Sequence, residues 1–287
     1  KARLSDQQIE RIRRWIKMGA PDPRRAPGVR EGDQGEVEAV DADELWSLQP
    51  VGDAKPPAVR DTDWPRGEID RFVLARLEAK GLHPVADSDL ERLCRRLYFD
   101  LIGLPPTPVQ VDSFIEAAKA NRQSSVESLV DQLLASPHFG ERWARHWLDV
   151  ARYAETNGKA WNLTFPHAWR YRDYVIDAFN SDKPYDRFIT EQIAGDLLPA
   201  ASNEQRDEQR IATGFLALGS KPFYNANKED VEPFEADWVD DQLNTLGKAV
   251  LGMTIACARC HDHKFDPIPT RDYYAMAGIF RSTRSHS

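Results

Sequence analysis

The sequence predicts an all-α protein, a multi-helix orthogonal bundle with long irregular loops, and three observations carry that expectation. From about residue 65 onward apolar residues recur near every 3.6 positions. The stripes are punctuated by glycine and proline at the places where helices stop. No run alternates with a period of two for long enough to make a strand.

Taken in order, "LSDQQIERIRRWIKMGAPDP" reads as a complete helix over residues 1–20. Ser5 and Gln8 have capping-box spacing, Ile9, Ile12 and Ile16 share a face, and Gly19 and Pro21 close the end. Residues 21–64 change character, with Pro, Gly, Asp, Glu and Arg dominating and little beyond Leu45–Leu48 and Val51 to bury, so they read as a linker. Residues 65–287 form the helical domain. Ile69, Phe72, Val73 and Leu77 make its first stripe, ended by Gly81 and Pro84; Leu90, Leu93, Leu97 and Leu101 make the second, ended by Gly103 and Pro105. Val111, Phe114 and Ala118 follow a Thr107–Pro108 start signal, and Val126, Leu129, Val130 and Leu133 give another stripe. Trp143, Trp147, Val150 and Ala154 lie on one helical face that runs to Gly158. Further helices are expected over 167–180, 184–196, 205–217, 234–258 and 270–281. No internal repeat is visible.

With 287 residues and 41% hydrophobic content, the chain can fill an ordinary core. Its 38 basic and 46 acidic side chains give a net charge of −8 and are interspersed, which argues against nucleic acid as a partner. No stretch reaches the roughly 18–20 apolar residues that a membrane span requires. Residue 1 is Lys and residues 1–20 do not read as a signal peptide, so the chain is expected to be a fragment with any export signal upstream. Three cysteines do not make a disulfide framework.

The chemistry concentrates in "CARCHDHKFDPIP", residues 257–269. A Cys-x-x-Cys-His run is the attachment signature of c-type haem. Two thiols about one helical turn apart each form a thioether to neighbouring vinyl groups on one porphyrin edge, and the adjacent histidine ligates iron from below. Cys257 and Cys260 are the expected anchors, His261 the proximal iron ligand, and the bundle is expected to be built around this C-terminal site. Three other readings stand beside it. Cys257, Cys260, His261 and His263 supply four zinc donors by count, although so short a run closes poorly into a tetrahedron. A thioredoxin-like redox pair wants its Cys-x-x-Cys at a helix start after a strand, whereas "LGKAVLGMTIA" reads as helix interior. Two buried thiols without a role are the third alternative.

The opposite face of the iron needs a residue from elsewhere, because His263 is two residues from the proximal histidine and Met253 lies one turn before Cys257 on the same expected helix. His146, flanked by Trp143 and Trp147, is the first candidate for a metal ligand there, followed by His167, His138 and Met276; a plain core or surface histidine is the alternative for His146. An open sixth position would favour small-molecule or peroxide chemistry over electron carriage. Arg259, between the thiols, is a candidate cofactor-binding cation for a haem propionate, with surface solvation as its alternative. Asp262 and Asp266 are candidates to accept the proximal imidazole N–H, to bind a cation, or simply to cap the turn.

Many separate blocks, among them "DRFVLARLEAKGL", "RRLYFDLIGLPPTP", "LLASPHFGERWARHWLDVARYAETNG", "AWRYRDYVIDAFN", "KPYDRFITEQIAGD", "IATGFLALG" and "CARCHDHKFDPIP", resemble the second of the planctomycete-type cytochrome C-like domains, a family whose function is not established. The likeness runs from about residue 46 to 281. Residues 1–20 resemble the C-terminal helix of the cytochrome c-like domain that usually precedes it. The resemblance implies a periplasmic or cell-surface setting, an upstream cytochrome c-like domain and a downstream domain of the same polypeptide as partners, and by association a link to polysaccharide breakdown. Leu45 stands where the family often has a histidine before Trp46, so no ligand role falls there.

The expected function is therefore an exported c-type haem domain, with covalent haem c and its iron as cofactor, acting in electron transfer within a larger multidomain redox protein. The alternatives are a haem oxidase or peroxidase-type enzyme with an open distal site, and a zinc-stabilised structural or carbohydrate-interacting module. No catalytic residue follows from the sequence.

Overall fold

A computed structural model describes residues 5–17, 42–157, 164–219 and 228–283. Among these residues the fold is helical without a strand, and an isolated bridge between Thr156 and Thr164 is the extent of β pairing described. The expected all-α class is what the structure has.

The first helix, α1 (Asp6–Lys17), begins at the foreseen capping box: Ser5 N donates to Gln8 Oε1 at 2.8 Å and Gln8 N to Ser5 Oγ at 3.3 Å. Its expected closing signals, Gly19 and Pro21, and the linker residues 21–41 lie outside the described residues. The rest of the expected linker carries two short 3₁₀ turns, Ala42–Glu44 and Trp46–Leu48, and then chain without regular secondary structure. Glu78 anchors that chain by accepting hydrogen bonds from Arg60 N and Asp61 N at 2.9–3.0 Å.

Helix α2 (Glu68–Ala79) forms where the periodicity places it and stops at Gly81, whose φ of +67° suits glycine. Its buried face differs from expectation. Leu74 is enclosed, whereas Ile69 and the neighbouring Phe72 and Val73 face solvent, with Ile69 79% exposed. Helices α3 (Leu90–Leu101), α4 (Pro108–Ala120) and α5 (Arg122–Leu134) enclose one core of Cys94, Tyr98, Phe114, Ala118, Leu129 and Leu133. Asp89, Thr107 and Asn121 cap their starts by accepting from backbone N–H groups three residues on.

A second core joins α6 (Pro137–Val150), α7 (Ala168–Asn180), α8 (Tyr185–Ala194), α9 (Asn203–Ala212) and the one-turn α10 (Gly214–Ala217). Trp147 lies edge-on to Phe188 and stacks on Phe215, and its Nε1 donates to Tyr171 Oη at 2.9 Å. The stripe expected to carry α6 to Gly158 ends at Val150. Arg152 takes a φ of +58° and pairs with Asp241, which turns the chain away and removes Ala154 from the helix. The single helix expected over 205–217 is likewise divided at Thr213.

Helices α8 and α9 meet at Gly195, where an added Cβ would fall 2.0 Å from the carbonyl oxygen of Gln209. Gly195 has ordinary right-handed helical dihedrals, φ −58° and ψ −36°, so backbone propensity alone would favour alanine by up to about 1 kcal/mol. Contact with backbone reverses that sign: Gly195→Ala is expected to destabilise the domain by about 3 kcal/mol. Thermal unfolding checks this, and an unchanged or raised midpoint would contradict the α8–α9 packing.

The third core joins α11 (Lys228–Leu246) to α12 (Thr270–Arg281) through Val239, Leu243, Ile255, Ala258, Tyr273 and Ala277. A continuous helix over 234–258 was expected here. Instead α11 passes into a π turn, Gly247–Leu251, then Gly252 reverses the chain at φ +66° and a 3₁₀ turn, Ile255–Arg259, folds back. Close packing makes this possible: a Cβ on Gly247 would lie 2.8 Å from Ile255, and Met253 N donates to Gly247 O at 3.0 Å. Met253 is therefore beyond the helix, not one turn before Cys257 within it.

Candidate functional site

The Cys-x-x-Cys-His run begins on that 3₁₀ turn, with Cys260 capping its end and His261 just beyond, and the turn's geometry sorts the side chains. Residues three apart eclipse one another in a 3₁₀ helix. Ile255 and Ala258 point into the third core, and Cys257 and Cys260 share the outer face. His261 follows, also exposed, and its Nδ1 donates to the carbonyl oxygen of Asp262 at 2.7 Å. With the proton held on Nδ1, the lone pair of Nε2 is left for a ligand, the arrangement that metal-bound histidines commonly show. The buried-thiol alternative fails for this pair, and it describes Cys94 instead, whose thiol burial pushes up in pKa.

The turn is held from α11 and α12. Arg259 pairs with Asp237 at 2.9 Å and Asp240 at 3.4 Å, and these carboxylates, Asp237 foremost, raise its pKa further. Its guanidinium is thus engaged with α11. The carbonyl of Arg259 accepts from Tyr274 Oη at 3.1 Å, and Tyr273 donates to Asp240 at 2.6 Å. Burial first, and the Asp240 carboxylate second, push the Tyr273 hydroxyl well above the usual phenol range. Asp262 accepts from Thr270 N at 2.7 Å, and that bond holds its carboxyl below the usual value. Asp262 thus tethers the first turn of α12.

His263 is buried at 7% exposure, and both ring nitrogens have partners: Thr254 Oγ1 lies 2.8 Å from Nε2, and Nδ1 accepts from Asp266 N at 2.8 Å and Phe265 N at 3.2 Å. The Asp266 carboxylate is 3.4 Å from Nδ1, but an ion pair there would need a proton on the atom that accepts two N–H bonds. The ring is therefore neutral with its hydrogen on Nε2. Neither nitrogen is left for zinc, and among the described residues no three His, Cys, Asp or Glu side chains are arranged to hold a metal ion.

The other candidate ligands lie on different elements. His146 is exposed on α6, its ring 5.5 Å from that of Trp143, and α6 packs chiefly against α7 while the turn packs against α11 and α12. His138 bonds Glu141 at 2.7 Å, His167 stands at the start of α7, and Met276 is wedged between the second and third cores. An open cleft of about 720 Å³ is also elsewhere, between α7 and α9 with Trp169, Asp173, Tyr174, Asp207 and Arg210 in its walls. Among the described residues no helix is long and apolar enough to cross a membrane. Thr254 and Tyr274 give no sequence signal: neither belongs to the motif spacing, and chain reversal alone brings them to it.

The fold and this turn define, among the described residues, an all-helical domain that presents two thiols and an imidazole outward from one short 3₁₀ segment and the two residues that follow it. Residues 68–285 match the family described as PSCyt2, protein of unknown function (DUF1549), and the chain belongs to that family of planctomycete-type domains. No curated protein and no solved structure matches the chain.

Proposed function

We propose that the chain is the c-type haem domain of a larger exported protein and that it passes electrons within it. The observation that carries this reading is the shared outer face of Cys257 and Cys260 beside a His261 whose Nδ1 is committed and whose Nε2 is free. The donor set fits haem c: two accessible thiols for thioethers and one oriented imidazole for iron. Phe265 and Tyr274, 68% and 57% exposed, stand beside the turn and offer apolar surface to a flat ring. Haem c, when bound, supplies a one-electron iron couple. The chain's part is to anchor the group through Cys257 and Cys260, to hold the His261 tautomer through the Asp262 carbonyl, and to fix the turn to α11 and α12 through Arg259 and Tyr274. An exposed anchoring face favours exchange with a neighbouring domain, and the resemblance supplies the candidates: a cytochrome c-like domain before this one and another domain after it. Maturation in the periplasm or at the cell surface, and the association with polysaccharide breakdown, rest on the same resemblance.

Protein matured in an export-competent host is expected to be coloured and to keep its Soret band with the polypeptide after acid–acetone extraction. Colour that passes into the acetone, or colourless protein, would refute covalent attachment.

A further inference from the structure

Thr254 lies three residues before Cys257, and His263 two residues after His261. Their side chains meet at 2.8 Å, closing a loop that contains the whole Cys-x-x-Cys-His run. The same ring gathers the chain beyond it, because His263 Nδ1 accepts from the N–H groups of Phe265 and Asp266 and His263 N donates to Ile268 O at 2.9 Å. Ile255 and Ala258 seat the turn in the core, and Arg259, Tyr274 and Asp262 hold it to α11 and α12. The Thr254–His263 bond adds a direct tie between the two ends of the motif, and a loop of this length keeps substantial conformational freedom unless its ends are fixed.

We infer that His263 is a positioning residue whose bond to Thr254 clasps the turn and sets the spacing of the two thiols; it is not a second metal ligand. The inference rests on the proposed anchoring role of Cys257 and Cys260, and it adds the device that holds them ready before any group is attached. His263 suits the task because a neutral imidazole offers one acceptor and one donor on opposite sides of a rigid ring. Here the acceptor takes the outgoing loop and the donor takes Thr254. Thr254 is itself exposed, so its hydroxyl contributes the clasp without filling core volume.

The test uses the full chain without haem and phenylarsine oxide, a trivalent arsenical that bridges two thiols only when they are close. Thr254→Val and His263→Asn are each expected to weaken bridging of Cys257 and Cys260 at least fivefold. The double variant should be no weaker than the worse single one, as members of one interaction require. Thr254→Ser, which keeps the hydroxyl, should bridge like the parent, and the melting temperature of Thr254→Val should stay close to the parent's. In the parent, ring-nitrogen NMR should show His263 protonated on Nε2. Unchanged bridging in Thr254→Val, failure of Thr254→Ser to restore it, or a proton on Nδ1 would each overturn the clasp. A histidine serving packing alone would leave bridging untouched by Thr254→Val. Haem-free protein from an export-competent host would instead defeat the haem reading while leaving the bridging result standing, so the two failures are distinguishable.

Discussion

Replacing Glu191 with alanine is expected to destabilise the domain by about 3–5 kcal/mol, the range for removing one partner of a buried charge cluster. Glu191 on α8 is fully buried and accepts from Lys183 Nζ at 2.6 Å, Arg187 Nε at 2.9 Å and Tyr174 Oη at 2.9 Å. Lys183 is itself largely buried, lies 4.7 Å from the Tyr174 ring and has Glu208 as its remaining carboxylate. Truncation would leave that largely buried ammonium with the half-exposed Glu208 as its counter-charge and open a gap in the second core. Replacing both members, as in Lys183→Met with Glu191→Leu, removes the under-compensated buried charge and refills the gap, and should recover much of the loss. Urea unfolding of the three variants checks this, and an Glu191→Ala loss under about 1 kcal/mol would show that the cluster is solvated.

The same cluster sets an acid limit. Burial alone pushes the Glu191 carboxyl up, but the bonds from Lys183, Arg187 and Tyr174 together outweigh it, and the net pKa lies below the ordinary 4.5. A depressed folded pKa stabilises the fold above the unfolded value, and that contribution is lost as pH falls through 4.5 toward the folded pKa. The difference in stability between the parent and Glu191→Ala should therefore narrow below about pH 4.5.

The second large effect concerns binding and not stability. Cys257→Ala with Cys260→Ala should abolish retention of haem by the denatured polypeptide, because no thioether can form. Both side chains are exposed, so the double variant should unfold within about 0.5 kcal/mol of the haem-free parent. Each single variant keeps one anchor and should hold less haem than the parent. Haem that stayed covalently bound to the double variant would place the attachment elsewhere on the chain.

Helix starts were the most legible part of the fold, since the Ser5–Gln8 capping box and the Thr107–Pro108 start signal are local chemistry and helices begin at both. Decisions taken by tertiary contact were hidden. The helical period of "LGKAVLGMTIA" gives no sign that Gly247 admits Ile255 so closely that the helix must break, and that break is what turns Cys257 and Cys260 outward. Arg152, just beyond the end of α6, takes a φ of +58° and pairs with Asp241, 89 residues away. At the site, the pairing of two thiols with His261 was readable from three-residue spacing. The role of His263 was not, because a histidine beside a Cys-x-x-Cys-His run looks like one more ligand until Thr254 and the 265–266 backbone are seen to occupy both nitrogens. Arg259 presented itself as a cation for a propionate, and the two α11 carboxylates that engage it gave no sign in the local sequence.

The central claim is that Cys257 and Cys260 carry the haem, and the mass of the peptide spanning residues 255–262 tests it most directly. From protein matured in an export-competent host, that peptide should be heavier than its sequence by one haem, joined through both cysteines. A peptide of unmodified mass, with two free thiols or a disulfide, would contradict the account.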